Sequence, residues 1–138
     1  MQDLILDGIL GKELVGLDES KSELSLKFTE GTLLCYHNQE CCESFVYLGK
    51  KSDKVGVVTD FKLNVTSELD KKSWKNLNKF SKDIDLASYL SLEELSIESY
   101  TLTTLTLSFM GGKSNTFKFL GVSNGYYNES VSFKWTDS

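Results

Sequence analysis

The chain has 138 residues, 40% of them hydrophobic and sixteen of them aromatic, which is enough for one domain to build a core without disulfides or metal. Its net charge is −5, and all of its basic charge apart from the single histidine is lysine. Arginine is the residue suited to bidentate phosphate and base contacts, so its absence argues against a nucleic-acid reader or an arginine-finger enzyme. The charge is unevenly spread, because residues 50–82 carry nine lysines against four acids while the remainder carries an acidic excess. A DNA mimic or direct DNA contact through the lysine-rich stretch therefore ranks low. The first would need a dense acidic pattern, and the second would be strongly salt-dependent. Abundant lysine and asparagine with no proline is the composition of an AT-rich coding genome.

No stretch approaches the apolar length of a membrane span, and the start "MQDLILDGILGKEL" lacks the basic and small-residue features of a secretory signal. Three cysteines, two of them adjacent, fit a reducing compartment better than a disulfide framework. The expectation is a cytoplasmic protein with no membrane partner, for which the glycosylation-like matches at Asn64 and Asn128 carry no meaning.

After a short apolar segment, Leu4 to Leu10, the chain reads as strands. "SELSLKFT" alternates Leu24, Leu26 and Phe28 with polar residues, Glu30–Gly31 turns, and "TLLCYH" returns as the second arm of a hairpin. "SFVYLG" is a continuous apolar run that reads as a central strand covered on both faces. "VVTDFKLNVTS" alternates again through Phe61, Leu63 and Val65. Residues 68–95 break the rhythm, with Trp74, Leu77 and Phe80 at helical spacing among lysines, and predict a short helical or loop insertion. "IESYTLTTLTLSFM" and "NTFKFLG" form strands around a turn at Gly111–Gly112, and "SVSFKW" sets Val131, Phe133 and Trp135 on one face. The sum is a mainly β (α+β) single domain of about seven strands, an antiparallel sheet curled as a sandwich or partial barrel.

Two segments stand out. "CYHNQECCES" holds every cysteine and the only histidine. Three cysteines and a histidine match a closed zinc site in number, but adjacent Cys41 and Cys42 lack the spacing of a zinc knuckle. A thiol–imidazole pair between His37 and Cys41 or Cys42 is the catalytic alternative, and a strained vicinal disulfide is a further one. The reading preferred from the residues is a polar corner in which Cys35, Cys41 and Cys42 are structural supports and His37 and Glu43 bind backbone or a ligand. No metal or other cofactor is expected.

The second segment is "GVSNGYYNESVSF". Asn124 and Gly125 favour a turn, and Tyr126, Tyr127 and Glu129 make a polar-aromatic cluster that serves either as a hairpin anchor or as a recognition surface.

Taken together, "YHNQECCESFVY" and "SNGYYNESVSF" resemble the motifs of a family of small uncharacterised phage, prophage and bacterial proteins, a domain of unknown function. In its pattern Tyr-His precedes Cys-Cys-Glu-Ser-Val-Tyr, and Ser-Asn-Gly-Tyr-Tyr-Ser-Glu-Ser-Val comes later. This chain departs from it at Phe45, inserted before Val46, and at Asn128. The resemblance implies a phage or mobile-element origin and a shared site formed by both segments, but no reaction.

The function expected from this reading is a non-enzymatic accessory protein that binds a host protein and inhibits a bacterial defence system, with Trp74 and Phe80 as aromatic anchors. The alternative is a sponge for a small nucleotide signal using His37, Tyr126 and Tyr127. A metal or thiol enzyme on residues 35–43 ranks below both.

Overall fold

The computed structural model describes residues 2–38, 44–68, 99–123 and 130–137. Among the described residues, a six-residue helix, α1 (Gln2–Asp7), precedes eight strands: β1 (Glu13–Glu19), β2 (Leu24–Phe28), β3 (Gly31–Tyr36), β4 (Ser44–Lys50), β5 (Gly56–Glu68), β6 (Ser99–Phe109), β7 (Lys113–Ser123) and β8 (Ser132–Asp137). All pairings are antiparallel and the order is β4-β7-β6-β5-β1-β2-β3-β8. The sheet is not closed, because its edges β4 and β8 do not pair with each other.

The single sheet behaves as two. β5 pairs along its length with β6 from Val58 to Glu68, but with β1 only through Val57 and Gly56. That short junction lets the β1-β2-β3-β8 half fold over the β4-β7-β6-β5 half. Leu24, Leu26, Leu33 and Phe133 from one half and Leu105, Leu107, Phe117 and Phe119 from the other meet in one buried cluster. Leu6 and Ile9, from α1 and the turn after it, complete this core. At about 25 cal/mol per Å² of apolar surface removed from water, such a cluster is the main source of stability.

The local causes are those of alternating strands. β2 and β3 pair through Leu24↔Cys35 and Leu26↔Leu33, and all four of these residues are buried. At the β6-β7 turn, Gly111 and Gly112 have φ of 89° and 77°, values that side-chain-bearing residues resist. In β8, Val131 before the strand and Phe133 are buried and Trp135 is half-buried, as the alternation predicted.

Three expectations need adjustment. There is an eighth strand, β1, whose alternation is broken by a register shift between Leu14 and Gly16. "SFVYLG" is covered on both faces, since Val46, Tyr47 and Leu48 are all buried, but it is an edge strand and not a central one. Tyr47 points into the core with Phe119, whereas Val46, Leu48 and Leu120 are buried on the other face, outside that cluster. Finally, β5 runs to Glu68, so the start of the expected 68–95 insertion is strand; residues 69–98 lie outside the described residues.

The exposed edge of β4 is met by the tip of the β1-β2 hairpin. Tyr47 donates its backbone N–H to the Lys21 carbonyl at 2.8 Å and its hydroxyl to Glu19 at 2.7 Å. Lys50 bridges Glu19 at 2.6 Å and Asp53 at 3.0 Å. Its hydrogen bonds to Glu19 and Asp53 hold the ammonium pKa above its ordinary value. These contacts give β4 partners on a side where an edge strand would offer unpaired backbone groups.

Candidate functional site

Strand register brings the ends of three connections to one end of the sheet. Tyr36 lies opposite Ser132, Ser44 opposite Val122, Glu68 opposite Tyr100, and Ser99 opposite Ser123. The chain therefore leaves and re-enters the sheet at this end after β3, β5 and β7.

His37, one residue past β3, joins the two halves there. Its Nδ1 lies 2.7 Å from the carbonyl oxygen of Ser130, just before β8. A carbonyl only accepts, so Nδ1 carries the proton in this contact. The imidazole stacks on Phe45 of β4 with centroids 5.2 Å apart and planes 19° from parallel. Phe45 in turn stacks on Phe119 at 6.0 Å, and Tyr47 meets Phe119 in a tilted pair at 5.4 Å. A column of rings thus runs from the half-buried imidazole into the core, holding His37 by stacking on one side and hydrogen bonding on the other.

Cys35 is fully buried beneath this corner, and burial pushes its thiol pKa well up. A thiol kept protonated in an apolar setting is neither a nucleophile nor a metal ligand, so Cys35 acts as a small core residue. Among the described residues, no three His, Cys, Asp or Glu side chains gather as a metal site requires. Glu43, Cys41, Cys42, Asn124, Gly125, Tyr126, Tyr127, Glu129, Trp74 and Phe80 lie outside the described residues.

The contact between His37 and Ser130 joins the flanks of the two segments singled out in the sequence. Phe45 and Phe119 were missed as parts of this corner. Phe45 registered only as an insertion in the motif, although it sits at the correct alternation with Tyr47 to face inward. Phe119 carried no signal beyond that of a core strand.

Comparison with models of protein families, with curated proteins and with solved structures finds no match to this chain.

Proposed function

We propose that the chain is a non-enzymatic accessory protein of a phage or mobile element that binds a host protein, with a component of a bacterial defence system as the class of target. The observation that supports this reading most is the His37 corner: a ring column and a hydrogen bond to Ser130 brace the end of the sheet from which the strands flanking three connections depart. Recognition surfaces are commonly built from connections held at one end of a β framework.

The test uses bacterial strains that each carry one defence system, infected with and without expression of this chain. The reading expects plating efficiency to recover by about tenfold or more in at least one strain, a component of that system to co-purify with the chain, and both effects to weaken in His37→Ala. Infection that stays blocked in every strain, with no defence component retained, sinks it. Heat released on titration with a cyclic or ADP-ribose-type nucleotide would replace it with the ligand-sponge reading.

A further inference from the structure

β5 has a neighbour on both sides only at its start. Gly56 and Val57 pair with β1, and Val58 donates its N–H to the Lys12 carbonyl at 2.9 Å and accepts the Gly11 N–H at 2.8 Å. From Thr59 to Ser67, the side of β5 turned away from β6 has no backbone partner among the described residues.

Phe61 gives the phase of this open edge. Its N–H is donated to the carboxylate of Asp60 at 2.9 Å, and so points away from β6. The register is regular from Asp60 to Glu68, and backbone groups of an antiparallel pair alternate sides, so Leu63 and Val65 also turn their N–H and C=O outward. The same three residues share the inner face of the strand. Phe61 and Leu63 are half-buried against the core, whereas Val65 is 53% exposed. Asp60, Lys62 and Asn64 are exposed on the other face. Unpaired amides and carbonyls beside apolar side chains are a template for a further strand, and the Asp60 carboxylate shields only the first of these amides.

We propose that this edge pairs with the same edge of a second copy, antiparallel and centred on Leu63, joining the two β5-β6 ladders in one continuous sheet. Self-complementarity selects this occupant. About Leu63, Phe61 lies opposite Val65 of the second copy and Leu63 opposite its own counterpart, apolar against apolar, while Asp60 meets Thr66 and Lys62 meets Asn64. The neighbouring registers are excluded by charge or by space. Centring on Lys62 opposes two ammonium groups, and centring on Asn64 sets Asp60 opposite Glu68, acid against acid. Centring on Phe61 drives Asn64 of the second copy into the place beside Val58 that Gly11 and Lys12 fill. Leu63 is also the midpoint of the open stretch, so the whole of it is used. Phe61, Leu63 and Val65 then form hydrogen-bonded pairs that each exchange two bonds across the interface. A contact of this kind is isologous and closes at two copies.

Analytical ultracentrifugation of the purified chain, from on the order of 1 μM to on the order of 1 mM, should show a monomer–dimer equilibrium. Val65→Pro removes an outward N–H and no bond to β6, and should raise the dissociation constant about tenfold or more. If thermal melting at dilution shows that proline disturbs folding, Val65→Lys at this exposed position replaces it with the same expectation. Asp60→Ala frees the Phe61 N–H and should tighten the dimer. Oxidation reads the register in a Cys41→Ser, Cys42→Ser background. Leu63→Cys should link two chains, because Cα atoms of a hydrogen-bonded pair lie about 5.5 Å apart, whereas Asn64→Cys, offset from its counterpart, should not. The dimer does not rest on the host-protein reading, and His37→Ala should dimerise like the parent, so failure of the defence assay and failure here are separable. Four outcomes overturn the proposal: a monomer throughout the concentration range; a dimer indifferent to substitution at Val65; a dimer weakened by Asp60→Ala; and cross-linking through position 64 in preference to 63.

Discussion

Replacing Gly31 by alanine should destabilise the fold by about 2–3 kcal/mol, even though alanine for glycine in an extended strand ordinarily helps. A Cβ at this position would lie 2.5 Å from the Thr136 carbonyl oxygen and 2.6 Å from Cζ2 of Trp135. Non-bonded heavy atoms rest about 3.5 Å apart, so something must move by close to an ångström. One route shifts the backbone of β8 out of register with β3, where Thr32 pairs Thr136. The other swings Trp135 away from Phe28, 5.6 Å off by ring centroid, and from the Lys12 ammonium, 5.3 Å above its ring. Overpacking of this kind costs about 1–3 kcal/mol and the aromatic contact contributes about 1 kcal/mol more. The opposing gain from a less flexible unfolded chain is only about 0.4–1 kcal/mol, so sterics win. Gly16→Ala is the matched control, because nothing lies within 4 Å of its Cβ position. It should be neutral or gain up to about 1 kcal/mol. Urea unfolding followed by circular dichroism gives both numbers, and Trp135 fluorescence in a Trp74→Phe background reports the ring. If the two alanine variants differ by less than about 0.5 kcal/mol, the packing argument for Gly31 is wrong.

Three further outcomes follow from buried groups. Burial, and then the hydrogen bond to Glu19, raise the Tyr47 pKa above its ordinary value near 10, so its contribution is present below that value and is lost as pH rises past it. Unfolding free energy measured across this alkaline range should therefore fall less steeply in Tyr47→Phe than in the parent, by up to about 1.4 kcal/mol per pH unit, and equal slopes would contradict this. Asn115→Ala should cost about 2–3 kcal/mol by leaving the Ser52 backbone groups unpaired, and should accelerate hydrogen exchange at the Ser52 amide; an unchanged rate there would show that other contacts hold the loop. Cys35 should resist iodoacetamide in the folded protein and react once urea unfolds it, as read by peptide mass mapping; rapid native labelling would mean that the site opens readily.

Where one face of a strand is buried, the pattern was plain to read: Leu24, Leu26 and Phe28, or Val131, Phe133 and Trp135, announce their faces by alternation alone. β1 escaped because the register shift at Leu14/Gly16 interrupts its period and a glycine and three acids dilute its apolar content. The apolar run of β4 does record burial on both faces, but burial does not encode a place in the sheet. An edge strand looks central when side chains cover both its faces. At the candidate site, His37 was conspicuous as the only histidine, whereas its stacking partners Phe45 and Phe119 looked like any core aromatic. Stacking across two sheet halves is a tertiary fact, with no local period to reveal it.

The pairing of β8 with β3 has a consequence for how the protein forms. Gly31 to Tyr36 find their last neighbours only in Ser132 to Asp137, about a hundred positions downstream. A ribosome would release β1, β2 and β3 with one flank of β3 exposed until almost the whole domain had been made. The β1-β2, β2-β3 and β6-β7 ladders need no such wait, since each joins strands linked by a short turn. Assembly should therefore finish with β8 docking on β3, a slow step set by the separation of the partners along the chain.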